Sequence, residues 1–255
     1  MSLSVVSAPN PNAEVSTLVG LTMQACEAAK ASVSHAIDGL VHGGQPSLEA
    51  VRRCEEKLDE LDRELDERLV PVISRVATSQ VRELLACMKV VLDLERIGDL
   101  VASFAERAAI MRNRLETEDL GQLTKMACLL ENMLEQVAKA FTARDVNQAL
   151  NIFRTDSEID RLRNLLLIRH TDGPEDLHGQ ESLHALFMAT ALERAGDHAK
   201  NIAEEICHLA TGHTVRHLMR NKKDRSAEQL FIDWLAREHS AVSNQPAKHP
   251  SEPDI

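Results

Sequence analysis

The chain has 255 residues and a formal net charge of −11, and only 2% of its residues are aromatic. A core must therefore be built from aliphatic side chains, which favours long packed helices over a β-sandwich. The acidic balance argues against non-specific binding to nucleic acid, because such binding depends on Lys and Arg side chains that neutralise phosphates. Residues 1–12 lack the features of a secretory signal, and no apolar run reaches the ~18–20 residues that cross a bilayer. We expect a soluble cytoplasmic protein with no direct membrane insertion.

The five cysteines are widely spaced and include no Cys-x-x-Cys pair; they are Cys26, Cys54, Cys87, Cys128 and Cys207. Four of them lie beside apolar residues in helical patterns. This usage predicts reduced, mostly buried thiols, which are typical of a cytoplasmic protein rather than of a disulfide framework.

Six segments have apolar residues at spacings of three and four, which predicts amphipathic helices. They cover residues 14–41, 48–76, 78–111, 120–144, 145–170 and 182–211. Ser47, Thr78 and Asp145 are the predicted N-caps, because their side-chain oxygens can accept hydrogen bonds from the backbone of the first turn. Pro71 is expected to kink or weaken the second helix near its end.

A six-residue phrase occurs twice. Residues 94–99 read Leu-Glu-Arg-Ile-Gly-Asp and residues 192–197 read Leu-Glu-Arg-Ala-Gly-Asp, an offset of 98 residues. A repeat of this kind indicates a duplicated unit. The predicted fold is all-α, with two tandem pseudo-symmetric three-helix bundles. The predicted domains are residues 14–116 and 118–219, followed by a short, partly disordered C-terminal extension at 220–255.

Each repeat carries two pairs of carboxylates four residues apart, and residues at that spacing share one face of a helix. The eight carboxylates are Glu55, Asp59, Glu95, Asp99, Asp156, Asp160, Glu193 and Asp197. Like charges at this spacing repel, and carboxylates from two adjacent helices resemble the metal sites of helical bundles, with ligands suited to Mg, Mn or Fe. The alternative is a solvated face with ion pairs, for which Arg96 and Arg194 are available partners.

Gly98 and Gly196 occupy the same place in the two repeats, inside predicted helices. A glycine there costs roughly 1 kcal/mol relative to alanine. Its presence in both repeats indicates close approach of the backbone to a neighbouring helix or to a ligand.

The sequence argues against metal binding by histidine side chains and against catalysis. His198 follows Asp197, which turns it about 100° from the acidic face. His213 and His217 follow Gly212, where the helix is expected to end. A phosphate-binding loop, a nucleophile elbow and a Ser-His-Asp order are all absent from the sequence, so we expect no enzyme.

The sequence resembles the PhoU family of bacterial phosphate-transport accessory and regulatory proteins. The resemblance covers roughly residues 14–219 and rests on residues 94–99, on 143–149 with Asp156 and Asp160, on 192–204 and on 211–217. It implies six helices in two three-helix bundles, and metal ions or clusters, iron among them, bound by Glu/Asp-x-x-x-Asp motifs. In this chain those motifs are the eight carboxylates named above, to which Asp62 could contribute.

By this resemblance, the protein is expected to be a non-enzymatic negative regulator of the phosphate-starvation response. It would link a phosphate ABC transporter to a membrane sensor histidine kinase, and it is expected to form a homodimer. Two other functions stay open. One is a di-metal carboxylate enzyme of the ferritin-like type, which requires Glu-x-x-His motifs that none of the four acidic pairs contains. The other is a helical scaffold whose acidic faces bind no metal.

Overall fold

A computed structural model of the chain describes residues 10–111, 114–172 and 179–212. These residues form six α-helices and no strand, which confirms the predicted all-α fold. The helices are α1 (Pro11–His42), α2 (Gln45–Ile73), α3 (Thr78–Ile110), α4 (Thr117–Ala143), α5 (Val146–Asp172) and α6 (Gln180–Thr211).

The helices pack as two sets of three. Helices α1, α2 and α3 contact one another, and so do α4, α5 and α6. The two sets are joined where α1 packs on α4 and α3 packs on α6. Helix α2 packs on α1 and α3, while α5 packs on α4 and α6, so each of them flanks the four central helices. This arrangement is the pair of three-helix bundles that the internal repeat predicts.

The two bundles share one apolar core. Buried leucines, valines and alanines from all six helices belong to a single contiguous cluster. On α2 the apolar residues at spacings of three and four do face the core, since Leu58, Leu61 and Leu65 are at most 1% exposed. Burying a leucine of this kind contributes about 1.5–3 kcal/mol relative to leaving it in water. Docking of the bundles is therefore driven by the same apolar burial that forms each of them.

Polar contacts fix the register between the bundles. Lys89 on α3 donates to Glu205 on α6 at 2.9 Å, and the ring of His198 on α6 lies 2.7 Å from Asp93 on α3. The guanidinium of Arg107 stacks over the ring of Phe187 at 4.5 Å. His198 thus faces α3 and lies away from the acidic residues of its own bundle, as its sequence position predicts.

Two of the three predicted N-caps are wrong. Helix α2 starts at Gln45, after Gly44, and Ser47 instead donates to Asp38 on α1 at 2.6 Å. The N-cap of α3 is Ala77, whose backbone N–H donates to the side chain of Gln80. The third prediction is confirmed, because Asp145 accepts from two backbone N–H groups of α5, at 2.8 and 3.2 Å. Caps are short-range features that a neighbouring helix can override, as Asp38 does at Ser47.

The predicted domains 14–116 and 118–219 meet next to the start of α4, since α3 ends at Ile110 and α4 begins at Thr117. Pro71 lies inside the last turn of α2, which ends two residues later at Ile73. The predictions for 220–255, His213 and His217 fall outside the described residues.

None of the described helices combines the length and the apolar character needed to cross a membrane. The cysteines form no disulfide, as predicted, and three of them (Cys26, Cys87 and Cys207) are buried. Burial raises the pKa of Cys26 and of Cys207 to about 12, so these thiols stay protonated.

Candidate functional site

The carboxylates of the first half come together between α2 and α3. We call Glu55, Asp59, Asp62, Glu95 and Asp99 the first acidic cluster. Burial raises the pKa of Glu55, and the charges of Asp99 and Asp59 raise it further. The pKa of Glu95 is likewise raised by burial and then by Asp99. The helical spacing therefore does place these side chains in one electrostatic environment.

Basic side chains only partly balance the first acidic cluster. Arg96 Nε lies 3.4 Å from Glu95 Oε2, and Arg96 Nη1 lies 3.8 Å from Asp99 Oδ2. The Arg96 side chain is 56% exposed, so water screens its charge. Glu95 Oε2 is buried and accepts no hydrogen bond. A buried carboxylate oxygen that has this long ion pair but no hydrogen bond is costly, and a closer cation would lower that cost.

The carboxylates of the second half lie between α5 and α6. We call Asp156, Asp160, Glu193 and Asp197 the second acidic cluster. Asp156 is the most deeply buried of them, with 5% of its side chain exposed. Burial raises its pKa, the charge of Lys200 opposes that rise, and Asp160 and Asp197 add to it. As in the first half, carboxylates from two helices share one environment.

A lysine lies within the second acidic cluster. The ammonium of Lys200, which is three residues after Asp197 on α6, donates to Asp156 Oδ2 at 2.7 Å and also to Asp197 Oδ1. Its side chain is 17% exposed. Burial alone would lower the pKa of Lys200, but the carboxylate of Asp156 and the hydrogen bonds to Asp156 and Asp197 raise it, so the lysine is charged.

The two glycines of the repeated motif face the other helix of their bundle, which decides between the two interpretations of Gly196 in favour of helix contact. A Cβ at Gly196 would lie 3.2 Å from Asp156 Oδ1 and 3.4 Å from Ile159 Cδ1. A Cβ at Gly98 would lie 2.6 Å from Leu58 Cδ1. Gly98 lets α2 approach α3, and Gly196 lets α5 approach α6. This close approach brings the carboxylates of neighbouring helices together.

The donor chemistry of the first acidic cluster suits a hard metal ion, because carboxylate oxygens bind Mg, Mn and ferric iron. Across the described ranges, however, no three Asp, Glu, His or Cys side chains are arranged closely enough to hold a metal ion. The eight carboxylates therefore stay predicted ligands. The second acidic cluster fits a metal less well, since the Lys200 ammonium already lies between two of its carboxylates.

Lys200 is the residue that sequence reasoning missed. The sequence does carry a signal for Lys200, since residues at i and i+3 share a helix face and Lys200 follows Asp197 at that spacing.

A second missed feature joins the ends of three helices. The ring of the buried His170 lies 3.2 Å from Asp119 Oδ2 and 2.9 Å from Ser182 Oγ. All three side chains are buried, so this network ties α4, α5 and α6 together.

The PhoU domain family matches the sequence twice, at residues 22–108 and 123–206, one match in each bundle. The chain belongs to the PhoU family. Both matches contain one copy of the repeated Glu-Arg-x-Gly-Asp motif with its two acidic residues.

The similar proteins agree with this assignment. A phosphate-specific transport system accessory protein PhoU homolog from Zymomonas mobilis is 31% identical over 80% of this chain and 90% of its own length. PhoU homolog 1 from Thermotoga maritima is 29% identical over 76% of this chain and 86% of its own. The crystal structure of PhoU from Pseudomonas aeruginosa has a TM-score of 0.73 at 25% identity, and it covers 80% of this chain and 100% of that one.

Proposed function

We propose that this protein is a non-enzymatic accessory and regulatory protein of phosphate-specific transport. The observation that carries the proposal is the match of both bundles to the PhoU domain, together with relatives that are named as accessory proteins of that transport system. In this role the protein links a phosphate ABC transporter to a membrane sensor histidine kinase and represses the phosphate-starvation response. It acts in the cytoplasm as a homodimer and binds no nucleic acid.

The fold supports such a linking role on physical grounds. Two bundles with a common core form a rigid body with six long helices, and the ion pairs between α3 and α6 hold their relative position. A rigid body of this kind can present one surface to a transporter and another to a kinase. Exposed apolar side chains on several helices, among them Leu92, Ile110 and Phe187, offer contact area for partners.

Deletion and complementation in the source organism test the proposal. Deletion should raise expression of a phosphate-starvation reporter and change phosphate uptake at high external phosphate, and the wild-type gene should restore both. A reporter and an uptake rate that do not change on deletion would overturn the proposal. Co-purification of the tagged chain with the transporter and with the kinase tests the two partners separately.

Metal binding is a distinct part of the proposal. We infer that the first acidic cluster holds a divalent or ferric ion, Fe, Mn or Mg, with Glu55, Asp59, Glu95 and Asp99 as ligands. The buried Glu95 Oε2, which accepts no hydrogen bond, and the raised pKa values of Glu55 and Glu95 support this inference. Elemental analysis after purification without chelators measures it, and Asp59→Asn with Asp99→Asn should remove the metal.

A further inference from the structure

One difference between the two motif helices changes the charge inside the acidic cluster. With the offset of 98 residues between the motifs, Lys200 on α6 corresponds to Ala102 on α3. Ala102 is buried and carries no charge. The remaining pattern is closely related, since Glu95, Gly98 and Asp99 each have an identical counterpart in the second motif. The second bundle therefore has an ammonium group at a position where the first has a methyl group.

The Lys200 ammonium makes the contacts that a bound cation would make. It reaches from α6 to Asp156 on α5 and back to Asp197, so it bridges the two helices of the cluster. Only 5% of the Asp156 side chain is exposed, and an isolated charge at such a depth is very unfavourable. The lysine supplies the opposite charge in a fixed position.

A metal ion at the same place has two obstacles. It must displace the ammonium from Asp156 Oδ2 and Asp197 Oδ1, and while the ammonium remains it meets positive charge at close range. At the corresponding position of the first acidic cluster there is no such cation, because the methyl group of Ala102 cannot pair with Asp99 or with Glu55. Its nearby Arg96 is more than half exposed and can turn into solvent.

We propose that Lys200 is a built-in cation that takes the place of a metal ion in the second acidic cluster, so that divalent cations bind the first cluster only. The prediction that Asp156, Asp160, Glu193 and Asp197 bind metal gives way to this proposal. It rests on the metal-binding part of the proposed function for the first cluster, and it makes a separate statement about the second.

The first arm of the test uses the wild-type background and Mn²⁺ as the probe. Asp197→Asn and Asp99→Asn are matched variants, because both change an aspartate of which 45% of the side chain is exposed. The Mn²⁺-dependent rise in melting temperature, about 5–10 °C at 100 times the dissociation constant, should persist in Asp197→Asn and be lost in Asp99→Asn. Loss of the rise in Asp197→Asn overturns the proposal.

The second arm removes the ammonium. Lys200→Met should create a Mn²⁺ site at the second cluster. By calorimetry, Mn²⁺ should bind this cluster at least tenfold more tightly in Lys200→Met than in the wild type. Adding Asp197→Asn to Lys200→Met should abolish the new site. Lys89→Met is the control, since Lys89 also pairs with a glutamate across helices at 2.9 Å. A folded Lys200→Met protein without a new Mn²⁺ site overturns the proposal.

The two arms separate this proposal from the metal proposal for the first cluster. If the wild-type protein shows no response to Mn²⁺, the first-cluster site fails. A new site in Lys200→Met that depends on Asp197 still supports the role of Lys200. If Lys200→Met does not fold, the wild-type comparison of Asp197→Asn with Asp99→Asn decides.

Discussion

The two bundles place the same kind of acidic motif against a neighbouring helix and balance its charge differently. In the second bundle, Lys200 pairs with Asp156 and Asp197 inside the cluster. In the first, Glu95 Oε2 is buried without a hydrogen bond and Arg96 stands largely in solvent. The backbone arrangement is duplicated, whereas the charge balance is not. A duplicated fold can therefore carry two acidic clusters of which only one has a lysine between its carboxylates.

Substitution of the motif glycines should change stability more than any other variant proposed here, and it should do so equally in the two bundles. Gly98→Leu and Gly196→Leu should each lower the free energy of unfolding by about 3 kcal/mol, because the added side chain meets Leu58 in one case and Asp156 and Ile159 in the other. Chemical denaturation measures this loss. Gly121→Leu is the control, since nothing lies within 4 Å of a Cβ at that helical glycine. An unchanged stability of Gly196→Leu would contradict the observed packing.

Most of the fold could be predicted because it follows from local pattern. The stripe of Leu58, Leu61 and Leu65 has the helical period, and the repeated motif indicates two similar bundles before any coordinates are known. The caps were harder, since Ser47 turns to Asp38 on another helix. The charge balance was harder still. Which helix Lys200 reaches depends on the packing of α5 against α6, and helical spacing alone does not give that.

Removal of the Lys200 charge should destabilise the protein through the second bundle. Lys200→Met leaves Asp156 buried without its cation, so we expect a loss of about 2–3 kcal/mol in the free energy of unfolding without metal. Lys200→Met combined with Asp156→Asn should recover part of that loss, because the unpaired charge is gone. Urea denaturation in the presence of a chelator measures both. A Lys200→Met protein as stable as the wild type would show that the ion pair contributes nothing.

Neutralising the first acidic cluster should have a smaller effect, of opposite sign. The pKa values of Glu55, Asp62 and Glu95 are raised mainly by burial, so their ionisation disfavours the folded state at neutral pH. Glu55→Gln, Asp62→Asn and Glu95→Gln together should stabilise the metal-free protein at pH 7, by less than about 1 kcal/mol since the groups are partly solvated. Thermal melts against pH measure the difference.

The sign of the pH dependence follows from the direction of these shifts. A raised carboxyl pKa lets the folded state bind protons first, so the wild-type penalty is present at pH 7. It is relieved as the pH falls through the raised values toward the ordinary 4.5 for glutamate and 3.8 for aspartate. The advantage of the triple variant should therefore shrink on acidification. An advantage that grows between pH 7 and pH 5 would contradict the burial of these groups.

Hydrogen exchange followed peptide by peptide, with and without Mn²⁺, tests the difference between the bundles most directly. Bound metal should slow exchange around residues 55–62 of α2 and 95–99 of α3, because it ties those two helices together. Residues 156–160 of α5 and 193–197 of α6 should exchange at the same rate with and without Mn²⁺, since Lys200 already joins those helices. Equal protection of both bundles by Mn²⁺ would contradict the account.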